Sequence, residues 1–245
     1  MSQHSDSALV DDSHARRYSV LPAAQRHTPV VHEIEIKRSR FIGYLFRVEA
    51  EEDVREHVSA LRKEHHLARH ACSAFLLGPD RRVMRSNDDG EPAGTAGTPM
   101  LEAIAQRETV LVSAEGTGAE QLRDASDVLA VVVRYFGGVK LGAGGLVRAY
   151  SDAVSQTLDQ VTWTVRQRML WYRIPAPHAV AGRWENELRA TGWHLGVTDY
   201  AGSSALLTLA SVDDDMAAER LKADLAAISS GAGQVEPTHV EWTDL

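Results

Sequence analysis

Cysteine is almost missing from this chain: Cys72 is the single one in 245 residues. An intramolecular disulfide and a cysteine-based zinc framework are both excluded, and a reducing cytoplasm is the expected setting. Aromatic residues make up only 6%. Long hydrophobic runs are lacking too, since no apolar stretch approaches the roughly 20 residues that span a bilayer. Residues 1–29 hold Ser, Asp, His and the Arg16-Arg17 pair without the apolar segment of a secretory signal, so no membrane partner is expected. What remains is ordinary globular composition, 44% hydrophobic and 24% charged, with a formal net charge of −8.

Against that acidic background, the segment from Val128 to Tyr150 carries Arg134, Lys140 and Arg148 and no acidic residue. An apolar, β-branched run to Val133 is followed by Gly137, Gly138, Gly142, Gly144 and Gly145, and then by a helical pattern with Leu146, Tyr150, Val154 and Leu158 on one side. The reading is a buried strand that delivers a flexible backbone to a helix N-terminus, where unpaired amide groups favour an anion. The spacing is neither that of a Walker A loop, which needs Gly-x4-Gly-Lys-Ser/Thr, nor that of a dinucleotide fingerprint, because Val147 stands where its third glycine would be. A tight structural turn and a nucleic-acid or anion contact both remain compatible with it.

A second loop, Asp88-Asp89-Gly90-Glu91-Pro92, places three carboxylates within four positions. Oxygen ligands so spaced suit a hard divalent cation or an acid/base pair, whereas Asn87-Asp-Asp-Gly also makes a turn through side-chain to backbone bonds. The turn is favoured, since the EF-hand register is absent. Thr98-Pro99 reads as the start of a helix with the threonine hydroxyl as its cap. Cys72 lies on a predicted strand and is expected to pack in the core; His70, two positions earlier, shares its face. Neither a metal nor a cofactor is expected.

Along the chain, residues 1–29 read as a disordered tail, and trimming residues 1–27 is expected to leave thermal stability nearly unchanged. Alternation predicts strands at Val30–Ile36 and Ile42–Val48, joined by the basic turn Lys37–Arg40. A helix follows from Glu51 to His66, with acids at its start and bases at its end, then strands at His70–Leu77 and Arg82–Ser86. Residues 107–126 read as an irregular excursion with a short helical turn. From Arg168 the pattern restarts: a strand at Met169–Ile174, a helix over 180–191, strands at Trp193–Tyr200 and Ala205–Ala210, a helix over 214–228 and a strand over 234–242. That succession is βαββαβ. All five tryptophans fall in this half, at 163, 171, 184, 193 and 242, and the pattern seats them in a core or, alternatively, in a base-stacking platform.

Four ordered motifs, Lys37-x-Ser39-Arg40-Phe41-Ile42, Ala68-Arg-His70-x-Cys72-x-Ala74, Ser86-x-Asp88-Asp89-Gly90-Glu91-Pro92-x-Gly94-Thr95-Ala96-Gly97, and Arg134-Tyr-Phe-Gly137-Gly138 through Gly144-Gly145-Leu-Val-Arg148-Ala-Tyr150, resemble the IMPACT/YigZ family. The resemblance implies an α+β protein: an IMPACT-type domain like the second domain of ribosomal protein S5 over 30–162, then a ferredoxin-like βαββαβ domain over 163–245. It also implies relatives that work on the ribosome and RNA. The expected function is non-enzymatic RNA or ribosome association through Arg134, Lys140, Gly142, Gly144, Gly145 and Arg148, with Asp88, Asp89 and Glu91 lining the neighbouring loop. Two other readings stand beside it: a metal-assisted hydrolase using those three acids, and a protein-interaction module presenting that loop to a protein partner.

Overall fold

The computed structural model describes residues 13–112 and 119–245. They form two compact units, Arg17–Val165, and Arg166–Leu245 together with the residues up to Arg16. The first unit holds β1 (Arg17–Val20), β2 (Val30–Ile36), β3 (Ser39–Arg47), α1 (Glu51–Glu64), β4 (His70–Leu77) and β5 (Val83–Asn87). It continues with α2 (Gly97–Ala105), β6 (Thr109–Val112), β7 (Ala119–Leu122), β8 (Val128–Tyr135) and α3 (Ala143–Leu158).

The core of this unit is an antiparallel sheet in the order β2-β3-β8-β4-β5. Central β8 reads Val-Leu-Ala-Val-Val-Val because both of its faces are covered, and period-two alternation sends its residues to opposite sides. Val128, Ala130 and Val132 join Met100, Ile104, Leu146, Tyr150 and Val154 beneath α2 and α3, whereas Leu129, Val131 and Val133 join Val54 and Leu61 beneath α1. A helix layer on each face is the arrangement that hides such a strand completely. Asp53 fixes the start of α1 by accepting from the amides of Glu49 at 2.9 Å and Ala50 at 3.1 Å.

The structure corrects several expectations. Residues 17–27 are not a tail: Tyr18, Val20 and Leu21 are 2%, 0% and 0% exposed, and Leu21 sits in the α2/α3 core. The polar composition of the first 29 residues hides this short apolar stretch. Residues 1–12 lie outside the described residues. The segment 107–126 is no irregular excursion where it is described, because β6 and β7 pair antiparallel from Thr109↔Leu122 to Val112↔Ala119; residues 113–118 lie outside the described residues. The β2–β3 connection is tighter than Lys37–Arg40, since only Lys37 and Arg38 turn, at φ 48° and 68°.

In the second unit, β9 (Thr164–Ala176) starts just before the boundary and is followed by α4 (His178–Ala190), β10 (Ala205–Val212), α5 (Asp215–Ser229) and β11 (Glu236–Asp244). Strand β9 is central, paired antiparallel with β10 on one side and β11 on the other. The predicted strand Trp193–Tyr200 is reduced to two bridges, Leu195↔Leu209 and Asp199↔Leu206. Gly192, at φ 93°, turns the chain just before it, and Gly196 lies so close to β10 that a β-carbon there would stand 2.8 Å from Thr208 Oγ1. Of the tryptophans, Trp184 and Trp193 are core; Trp171 is half-buried, donating to Glu241 at 2.7 Å and stacking on His239. Among the described residues no helix is long and apolar enough to cross a membrane.

Candidate nucleic-acid interface

The strand register assembles the site. β4 and β8 pair so that His70 stands opposite Arg134, and β8 then runs through Phe136 into the glycine-rich turn. Gly137 is needed there for close approach: a β-carbon would lie 2.0 Å from the carbonyl carbon and oxygen of Arg38, while its amide donates to Ser39 Oγ at 3.1 Å. Gly142, at φ 74°, turns the chain into the first residue of α3, and Leu146 donates back to its carbonyl at 2.9 Å. A side chain at that φ would be strained. The start of α3, at Gly142 and Ala143, and the end of β8, at Arg134 and Phe136, thus border the same space, and a helix start carries unpaired amides.

Between these elements lies a cleft of about 360 Å³ whose polar lining is Arg69, His70, Glu91, Arg134 and Lys140, with Gly142 and Ala143 at the helix start and Pro92, Phe136, Leu141 and Leu146 as apolar walls. Among the described residues Arg69, Lys140 and Arg148 have no ion-pair partner. A larger groove of about 580 Å³ between α1 and β5 is also basic, but its arginines are engaged, Arg55 with Glu52, Arg62 with Asp89 and Arg85 with Glu51. Lys63 of that groove has no ion-pair partner among the described residues either, so what distinguishes the smaller cleft is the helix start, Gly142 and Ala143, beside its cations.

Arg134 is not an open phosphate contact. Its side chain is 8% exposed, its Nη1 donates to Glu91 Oε1 at 2.5 Å, and its guanidinium lies against the rings of Phe41 and Phe136. Tyr150 donates to the same Glu91 oxygen at 2.9 Å, and His70 Nε2 lies 3.9 Å from it. The other ring nitrogen of His70 is 2.8 Å from the Asp89 carbonyl, which fixes the orientation of the imidazole. Burial pushes the Tyr150 hydroxyl strongly upward, so it stays a proton donor to Glu91. Of the six residues expected to meet the anion, Arg134, Lys140 and Gly142 line the cleft; Gly144 and Gly145 belong to the first turn of α3, and Arg148 is exposed further along that helix.

The three loop carboxylates do not converge. Asp88 accepts from the amides of Gly94 at 2.8 Å, Ala96 at 3.0 Å and Gly97 at 2.8 Å, and so caps α2 in place of Thr98, which falls inside the helix. Burial opposes its charge, but the three donors together outweigh it and hold the carboxyl below its usual value. Asp89 accepts from the Ala71 amide at 2.6 Å and pairs with Arg62. Glu91 serves Arg134 and Tyr150. The acids are thus committed to three separate structural tasks and do not share a common ion site among the described residues. Replacing Asp88 with Ala should cost about 2–3 kcal/mol, because a helix cap and two further charge-assisted bonds vanish together. Urea unfolding of D88A reads this directly. Since the folded carboxyl titrates below its unfolded value, the contribution is full above the unfolded value and fades as pH falls through the folded one.

Cys72 is fully buried, and its thiol donates to the Asp88 carbonyl at 3.0 Å. Burial pushes its pKa up to about 12, so it stays a thiol near neutral pH. Sequence reasoning missed Arg69 and Phe136 as members of the site. The signal was present in the strand pairing, because a strand beginning at His70 and aligned with β8 brings Arg69 beside Phe136, the guanidinium 5.8 Å from the ring centre.

A two-unit mixed α/β protein with a basic cleft at a helix N-terminus is the class these features define. The Impact N-terminal domain family matches residues 37–114 and 118–158, which include α1, α2, β8, α3 and the whole cleft. The chain is 36% identical over 210 residues to the IMPACT family member YvyE of Bacillus subtilis, covering 86% of this chain and 89% of that protein. It is 42% identical over 145 residues to the IMPACT family member YigZ of Escherichia coli, covering 58% and 61% respectively. A crystal structure described as that of a hypothetical protein superposes with a TM-score of 0.56 at 32% identity, over 90% of this chain and 97% of that one. The chain belongs to the IMPACT family.

Proposed function

We propose that this protein is a non-enzymatic RNA- or ribosome-associated factor in translation or stress control, and that the cleft at the start of α3 is its phosphate contact. The observation that carries this reading is the pair of unneutralised cations, Arg69 and Lys140, beside the free amides of α3 in a chain of net charge −8. Local attraction on an acidic body favours phosphate at one place and discourages indiscriminate polyanion binding. The metal-assisted hydrolase reading is the weaker one, because Asp88, Asp89 and Glu91 are each held by other partners and do not converge.

The strand orders support the finer fold assignment. The order β11-β9-β10, with the bridged segment 195–199 on the far side of β10, is the sequence of neighbours of a ferredoxin-like split. We assign the first unit to the ribosomal protein S5 second-domain class on its antiparallel sheet and the helices that cover it. One buried cysteine suits work in the cytoplasm. The test is a binding titration of single-stranded RNA against wild type and the R69E/K140E variant. Loss of affinity by about tenfold or more in a variant with unchanged thermal unfolding is expected, because two phosphate contacts turn repulsive. Equal affinity would overturn the assignment of the cleft.

A further inference from the structure

Three features of the cleft exceed what an internal stretch of phosphate backbone would use. Phe136 is 43% exposed, with the guanidiniums of Arg69 and Arg134 5.8 and 5.7 Å from its ring centre. An aromatic face left open beside cations suits a planar base better than it suits solvent. Arg134, more than nine-tenths buried in the cleft wall, has an Nε donor without a hydrogen-bond partner among the described residues. Arg134 lines the cleft, so a ligand there lies against a guanidinium with donor capacity to spare. Finally, a volume of about 360 Å³ falls at the small end of pockets that enclose single molecules.

Resting on the reading of the cleft as a phosphate contact, we propose that it takes one nucleotide carrying a terminal phosphate monoester, with the base on Phe136 and the phosphate at the first turn of α3 between Lys140 and Arg69. A monoester carries about −1.5 to −2 charge near neutral pH, more than the single charge of an internal diester, and presents three acceptor oxygens to converging donors. Glu91 does not oppose it strongly, because its carboxylate is held by Arg134 and Tyr150. The apolar walls Pro92, Leu141 and Leu146 cover the edge of the base. An RNA end and a free nucleoside monophosphate both offer this chemistry.

The experiment compares, on the full chain, one oligoribonucleotide in 5′-phosphorylated, 3′-phosphorylated and circular forms, together with the free nucleoside monophosphate, for wild type and F136L. A phosphorylated end should bind about tenfold tighter than the circle, and F136L should abolish most of that preference. Competition by the free monophosphate at matching concentration would support the site and identify its source as the mononucleotide. Circle and ends bound equally, or a preference untouched by F136L, would overturn the terminal-nucleotide proposal and leave the RNA reading standing. Binding of the monophosphate without any RNA would do the reverse, and no binding of either would overturn both.

Discussion

A chain lacking residues 1–22 is expected to lose about 5 kcal/mol or more, a large part of the whole stability of an ordinary domain. Tyr18, Val20 and Leu21 are nearly solvent-free, and each such side chain contributes about 1.5–3 kcal/mol on burial. Polar ties go with them: Tyr18 donates to Asp127 at 2.7 Å, the Ser126 amide to the Ser19 carbonyl at 3.0 Å, and Arg47 to the Leu21 carbonyl at 3.2 Å. Arg47 is itself among the most deeply buried side chains of the unit, so the deletion strands part of a charged group. Calorimetry of the truncated chain, with L21A as a milder companion costing about 2–5 kcal/mol, reads the effect. Unchanged melting in both would mean that this segment does not hold the first unit together.

Glu91→Ala carries the second large expectation. Glu91 and Arg134 have side-chain exposures of 4% and 8%, and the carboxylate is the acceptor for both the Arg134 guanidinium and the Tyr150 hydroxyl. Removing it leaves a buried cation and a buried hydroxyl together without that acceptor, which should cost about 3–5 kcal/mol. Replacing both partners in E91L/R134M should recover much of the loss, because no uncompensated charge is left. Chemical denaturation of E91L, R134M and the double variant forms the required cycle. If E91A melted like the wild type, the ion pair would contribute nothing to the floor of the cleft.

Much of this architecture was legible in the residues because it follows from periodicity. The two-sided burial of β8 is written in its unbroken apolar run, and α3 in the recurrence of Leu146, Tyr150, Val154 and Leu158. Charge order located α1 to within two residues of its observed end. What escaped depends on contacts distant in sequence. Thr98 has the chemistry of a cap, but Asp88 reaches the helix start first through three amides, and nothing local to Thr98 reveals that competition. Tyr18-Ser-Val-Leu21 is too short a stretch to show a period, so its polar surroundings dominate the reading. The basic run suggested an anion contact, but only the pairing of β4 with β8 shows that Arg134 is already bound by Glu91 and that Arg69 stands free beside Lys140.

Co-sedimentation with RNA and with ribosomes across about 50 to 300 mM salt, for wild type and R69E/K140E, reads whether the cleft at the start of α3 holds phosphate. Binding by the wild type is expected to weaken with salt, with a log–log slope of about −1.4 for two phosphate contacts on a single strand, and to show a shallower or absent response in the variant. Salt-insensitive association, or binding equal in the two proteins, would contradict it and place the contact elsewhere on the molecule.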